Sequence, residues 1–350
     1  MIIDTKFNSA AQIPMKICVD AARLAEEVGF GAVWKGESNS RDPMVLLSAM
    51  AAVTSRIELG TAIYHVYGRS PITLALQAAA FNELSDGRLI LGLGVGNPII
   101  AGWHGEDFSR PLRRMKEYVE ILRAAYSGER VPDYEGDFYS TRGSFKMAFR
   151  PPEGDLRVWI AGLGPQMARL AGRIGDGIVV NMANPPMIRR IVEDFHAGAR
   201  EAGRDPSALE VVSKVRVSLS EDVDAARWAL KKVLTFYSLQ RGYSETLGEM
   251  GWGEVVSAVQ AAHRDEGFAA ARKLIPDEMV DDVPMYADRD LARLPAKLAG
   301  YAEAGSTRCV AAYVPSTDDL AGELNRYVKN ADFVRNADFV KNATTPAAAR

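Results

Sequence analysis

Residues 157–181 read RVWIAGLGPQMARLAGRIGDGIVVN, and this stretch decides the fold. Val158–Ala161 is an apolar run with the length of a buried strand, and Ile178–Val180 is a second one. Between them, Gly162-Leu163-Gly164 turns the backbone tightly, Pro165 suits the first turn of a helix, and Gln166 to Ile174 carries that helix. Gly175-Asp176-Gly177 stops it. The stretch is a strand–helix–strand unit, the building block of a parallel sheet. A glycine turn feeding a helix N-terminus offers N–H groups and the positive end of the helix dipole, which together suit a phosphate. Gly162, Leu163, Gly164, Pro165 and Gln166 are therefore expected to face a phosphorylated cofactor; the alternative is a turn that only connects two elements.

The same rhythm runs outward in both directions. Towards the N-terminus, Ile2–Phe7, Gly31–Trp34, Ile57–Ile63 and Arg88–Val95 read as strands. Helices are predicted over Pro14–Val28, Asp42–Thr54, Ser70–Leu84 and Pro111–Tyr126. YEGDFYSTRGSFKMAF, within residues 131–150, breaks the rhythm with aromatic runs and glycine turns and reads as an inserted β-hairpin. Beyond the opening stretch come a helix to Ala202, a strand over Glu210–Leu219 and a helix from Ser220 to Tyr237. A mostly helical segment runs to Lys273, an acidic, irregular one covers Leu274–Asp290, and a helix over Leu294–Ala304 precedes a strand over Arg308–Tyr313. Strands near residues 3, 32, 60, 91, 159, 179, 214 and 310 give eight parallel units, which points to a (β/α)8 TIM barrel, with residues 235–290 inserted before the last strand. The doubly wound fold is the alternative. It lacks its fingerprint, because Gly92-Leu93-Gly94 and Gly162-Leu163-Gly164 are followed by Asn97 and Met167 where that motif needs a small residue. Residues 1–330 are expected to form one domain and 331–350 a C-terminal tail, in which the repeat ADFVRN–ADFVKN reads as a locally duplicated helix end and Thr344–Arg350 as frayed.

The chain has 350 residues, 47% hydrophobic and 25% charged, the balance of an ordinary globular protein. A net charge of −3 argues against a nucleic-acid partner gripped by a broad basic face. Cys18 and Cys309 lie in apolar patterns and are expected to be buried thiols. The four histidines and two cysteines show no metal-ligand spacing, so no metal site is expected. No apolar run reaches membrane-spanning length and the N-terminus has no signal-peptide pattern, so a cytoplasmic protein without a membrane partner is expected.

In a barrel, chemistry belongs at the C-terminal ends of the strands. That rule collects Glu37, Ser38, Asn39, Arg41, Asp42, His65, Asn97, Trp103, His104 and Asn181 at one mouth. Arg110, Arg113, Arg114 and Lys116 crowd the first turns of the helix at Pro111, against its dipole. They are either a solvated face or a grip for an anionic tail.

EEVGFGAVW, NSRDP, TSRIELGTAI, ELSDGRLILGLGVGNP, YEGDFY and AGLGPQMARLAGRIGDGIVVN resemble the bacterial-luciferase-like superfamily. The likeness is greatest to its coenzyme F420-dependent branch, the methylenetetrahydromethanopterin reductases and their relatives. The resemblance implies a (β/α)8 barrel with an insertion, a homodimer, and hydride transfer between the deazaflavin F420 and a small organic substrate, such as reduction of a C=N or C=C bond. It implies a non-proline cis peptide at Ala62-Ile63 against the cofactor ring. It also implies phosphate binding by Gly162–Gln166 together with Ile178, Val179, Val180 and Asn181. Where relatives read Asp-His after the second strand, this chain reads Glu37-Ser38; their acidic residues of the first and fourth strands match Asn8 and Asn97. Glu37 and His65, with Asn97, are the expected catalytic residues, and Glu37, Ser38 and Asn97 are also expected beside the cofactor. The alternatives are an FMN-dependent monooxygenase and a non-catalytic flavin-binding relative.

Overall fold

The structure, a computed structural model, describes residues 1–7, 13–143, 145–152 and 154–335. In chain order the strands are β1 (Ile2–Phe7), β2 (Ala32–Lys35), β3 (Glu58–Thr61), β4 (Tyr64–His65), β5 (Leu89–Gly94), β6 (Tyr134–Glu135) and β7 (Ser140–Thr141). They continue as β8 (Val158–Ala161), β9 (Gly177–Val179), β10 (Glu210–Leu219), β11 (Met285–Asp288) and β12 (Arg308–Tyr313). The α-helices are α1 (Met15–Val28), α2 (Pro43–Ala51), α3 (Pro71–Ser85), α4 (Pro98–Trp103), α5 (Pro111–Tyr126), α6 (Pro165–Ile174) and α7 (Pro185–Glu201). After them come α8 (Val223–Ser238), α9 (Arg241–Leu247), α10 (Gly253–Glu266), α11 (Phe268–Lys273), α12 (Asp277–Asp282), α13 (Leu294–Glu303) and α14 (Leu320–Lys329). Every strand expected from the sequence is present, and the fold is a (β/α)8 barrel.

Local chemistry sets the boundaries. Asp42 caps α2 by accepting the Val45 N–H, Ser70 caps α3 by accepting the Thr73 N–H, and prolines occupy the first turn of both. Gly29, at φ 102°, closes α1. Among the described residues, no helix is long and apolar enough to cross a membrane.

The chain divides into two compact units. The first comprises Met1–Gly31, Val180–Arg190 and the described residues from Val212 onward. In it, β1 pairs with β12 (Asp4 opposite Val310, Lys6 opposite Ala312), β12 with β10 (Val310 opposite Lys214, Ala312 opposite Arg216) and β10 with β11, all parallel. The face of this sheet carrying Thr5, Ala311 and Tyr313 packs on α14, where the Tyr327 hydroxyl donates to Ala311 O at 2.8 Å and its ring stacks on Tyr313. By register, the opposite face carries Asp4, Lys6, Arg308, Lys214 and Arg216. Arg308 grips Asp4 there through two 2.9 Å hydrogen bonds, with both side chains buried. Helices α8–α12 pack around Leu230, Leu234, Leu247, Val259, Ile275 and Met279. The segment 274–290, expected to be irregular, contains α12 and β11. Its acidic residues hide the apolar positions Met279, Val280, Val283 and Met285, which are buried.

The second unit comprises Ala32–Val179 and Ile191–Val211. Its strands β2, β3, β5, β8 and β9 lie side by side in that order, all parallel, and β4 extends the sheet along β5. Gly92 is required by this packing: an added Cβ would lie 1.9 Å from the Thr61 carbonyl oxygen. The insertion at 131–150 is a hairpin, with β6 antiparallel to β7. Glu117 of α5 fastens its turn, accepting the N–H groups of Asp137, Phe138 and Tyr139. The loop expected after β5 contains the short helix α4. Cys18 and Cys309 are buried thiols, and burial pushes the Cys309 thiol up to about 12. The tail repeat from residue 336 on, and Asn8, lie outside the described residues.

Candidate active site

The C-terminal ends of the second unit's parallel strands share one edge, so the loops after β2, β4, β5 and β8 open on the same side. Glu37 follows β2, and the Glu37 N–H donates to the Ile63 carbonyl at 2.9 Å. Its side chain then reaches β4: Oε2 accepts the His65 backbone N–H at 2.8 Å and lies 3.2 Å from His65 Nδ1. Oε1 accepts from Arg69 at 2.8 Å. Arg69 also reaches Asp42 at 3.1 Å and lies over the Tyr64 ring, 4.2 Å from its centroid.

Burial alone raises the Glu37 carboxyl's pKa. The bonds from the His65 ring and N–H, with the Arg69 charge, outweigh it and hold the group below its ordinary value. These contacts favour the ionised form of Glu37. With Nδ1 turned to the carboxylate, Nε2 of His65 makes no hydrogen bond among the described residues. The loop after β5 walls that side: Gly96, at φ 57°, lies so close that an added Cβ would meet His65 Cδ2 at 2.9 Å and Nε2 at 3.4 Å.

The remaining expected residues are distributed as follows. Ala62-Ile63 is a cis peptide, and the Ile63 side chain lies on Gly94. Asn97 caps α4, its side chain accepting the Ile100 N–H at 3.0 Å, so its oxygen serves a helix end. Ser38 is exposed and donates to Ser40. Gly162, Leu163, Gly164, Pro165 and Gln166 form the turn into α6. No side chain caps that helix, and around Gly164 nothing lies within 4 Å of an added Cβ. Ile178 and Val179 are buried strand residues of β9, and Val179 O receives the Gly162 N–H at 3.3 Å. The turn is therefore an open backbone cradle with an unanswered helix dipole, and it fits a phosphate.

Val180 and Asn181 belong to the first unit. Val180 is buried, and the Asn181 side chain is taken up there by Arg216 at 2.9 Å and the Tyr243 hydroxyl at 2.9 Å.

The arginines of α5 do not form a free anion grip. Arg110 pairs with Asp137, Arg113 with Glu117 and Asp137, Arg114 with Glu106, and Lys116 with Glu120. Nor is Arg114 part of a solvated face: it is buried, with its guanidinium 4.2 Å from the Phe138 ring centroid and 4.9 Å from that of Tyr67. Glu117 and Glu120 match Arg113 and Lys116 from one turn further along α5 itself, whereas Asp137 of the hairpin and Glu106 of the preceding loop match Arg110 and Arg114, which helix periodicity alone does not reveal. Sequence reasoning also missed Arg69. Its only signal was a position between a strand end and the Ser70 cap.

The sequence profile described as luciferase-like monooxygenase matches residues 4–308. The chain belongs to that family. It is 32% identical to 5,10-methylenetetrahydromethanopterin reductase of Archaeoglobus fulgidus over 74% of this chain and 78% of the relative. It is 31% identical to F420-dependent glucose-6-phosphate dehydrogenase of Nocardia farcinica over 62% of this chain and 69% of the relative. Among solved structures, coenzyme F420-dependent tetrahydromethanopterin reductase from Methanopyrus kandleri superposes with a TM-score of 0.80 at 25% identity, covering 94% of this chain and 98% of that one.

Proposed function

We propose that this member of the family is an oxidoreductase that binds coenzyme F420 and exchanges a hydride with a small organic substrate at a polarised C=N or C=C bond. The observation that carries this reading is the Glu37–His65–Arg69 cluster, which stands on the same strand edge as the open turn into α6. The relative named F420-dependent glucose-6-phosphate dehydrogenase and the solved coenzyme F420-dependent tetrahydromethanopterin reductase support the cofactor. When bound, the deazaflavin supplies the hydride chemistry.

The chain's own residues do the rest. The Gly162–Gln166 backbone and the N-terminus of α6 hold a phosphate. Glu37 orients the His65 ring and fixes Nδ1 as the carboxylate-facing nitrogen, so His65 Nε2 is the atom that holds or delivers the proton accompanying hydride transfer. Arg69 keeps Glu37 ionised, and Asn97 positions the loop after β5 by capping α4. Glu37 and Asn97 are positioning residues, and His65 is the catalytic one.

The test is anaerobic mixing of the purified chain with reduced F420 or reduced FMN. Reoxidation of F420 by an organic acceptor without oxygen supports the proposal. Product that forms only with FMN and oxygen assigns a monooxygenase, and tight binding of either without turnover assigns a binding protein.

A further inference from the structure

We infer that the β1–β12–β10 face of the first unit is a binding site for a small oxyanion, a carboxylate or phosphate group, held between Lys214 and Arg216. Both residues point to the face that α14 does not cover, two positions apart on β10, and Lys6 stands level with Arg216 across Ala312. Lys214 is 7% exposed and Arg216 6% exposed. Among the described residues Lys214 has no hydrogen bond or ion pair. Among the described residues every partner of the Arg216 guanidinium is neutral: Met182 Sδ at 3.0 Å, Asn181 Oδ1 at 2.9 Å, and Tyr237 through its hydroxyl at 2.6 Å and its ring.

A buried cation is ordinarily matched by a carboxylate, as Arg308 is by Asp4 on the same face. The pair above it has no such match. Asp4 is held by both Arg308 bonds, and among the described residues the other titratable groups around the pair are Lys6 on β1, Tyr237 on α8, Tyr243 on α9 and Tyr301 on α13. Each of these is a cation or a neutral phenol. Burial first, then the charges of Lys6 and Arg216, pushes the Lys214 amine well below its ordinary value. An anion arriving here reverses the repulsion, so Lys214 takes up a proton as it binds. The site lies within one unit and does not depend on the proposed cofactor.

The experiment is calorimetric titration of the full-length chain with sodium phosphate and, separately, sodium succinate, each in two buffers of different ionisation enthalpy. The expected result is saturable binding of at least one anion with net proton uptake, and affinity weakened by about tenfold or more in Lys214→Met. Lys214→Arg, which keeps a permanent cation, is expected to bind without proton uptake, and it provides the test where Lys214→Met fails to fold. Preference for phosphate assigns a phosphate ester as ligand class, and preference for succinate assigns an organic acid. Absence of saturable binding of both anions, or proton uptake unchanged in Lys214→Arg, overturns the inference.

Discussion

Replacing His65 by Asn and Glu37 by Gln, singly and together, separates a proton-handling ring from the group that aims it. In the wild-type chain one Glu37 oxygen holds the His65 N–H at 2.8 Å and stands 3.2 Å from the ring, while the other holds Arg69 at 2.8 Å. The side chains are 6% and 15% exposed, so solvent screens these contacts little. A hydrogen bond to a charged group contributes about 1.5–3 kcal/mol. Because each 1.36 kcal/mol is about tenfold in rate, losing the ring–carboxylate contact alone is expected to lower kcat by about 10- to 150-fold in Glu37→Gln. A positioned proton donor contributes about 10²–10⁴-fold, and that is the loss expected for His65→Asn. The double variant should be no slower than His65→Asn, because without the ring Glu37 has nothing to orient. The assay is anaerobic stopped-flow oxidation of reduced F420, with 5,10-methylenetetrahydromethanopterin and glucose 6-phosphate as acceptor and donor probes in the respective directions. Rates in His65→Asn within about twofold of wild type, or losses that multiply in the double variant, refute the assignment.

Three further outcomes follow from the same geometry. Glu37 has a lowered pKa in the fold, so its contribution is present above the unfolded carboxylate value and is lost as pH falls through the folded one; urea melts from pH 7 to pH 3 should show a steeper acid loss in wild type than in Glu37→Gln. Gly164→Asp places a carboxylate at an open, extended helix cap, so stability should rise by a few tenths of a kcal/mol or stay level, while F420 affinity measured by fluorescence falls about tenfold or more. Glu117→Ala removes a buried carboxylate that ties three hairpin N–H groups to α5, and should cost about 1–3 kcal/mol, with hydrogen exchange accelerating first over residues 137–139.

Much of the architecture is legible in the sequence because its signals are local. Apolar runs such as Leu89–Gly94 and capped helices such as Ser70-Pro71 are set by neighbours a few residues away, and eight such alternations leave few topologies. The open turn at Gly162–Gln166 was readable for the same reason: glycine, glycine and proline specify it without help from the rest of the chain. The inserted hairpin was visible, but the carboxylate that fastens it, Glu117, reads as an ordinary helix position until the fold brings residues 137–139 over it.

What tertiary structure alone decided is the ionic character of each site. Glu37, His65 and Arg69 are loop and strand-end residues whose roles depend on which oxygen faces which nitrogen, and the contacts from His65 and Arg69, acting against burial, hold the Glu37 carboxyl below its ordinary value. The α5 arginines look like an anion grip by composition, yet Asp137 of the hairpin and Glu106 of the preceding loop pair with Arg110 and Arg114, and Glu117 of the same helix pairs with Arg113. Lys214 and Arg216 carry the opposite lesson. A lysine and an arginine in an apolar strand look like edge residues, and only the register of β1, β12 and β10 places them on one buried face, with no counter-ion among the described residues. Local hydrogen bonds and packing fix elements from the sequence, whereas charge balance is a long-range sum that exists only once the chain has folded.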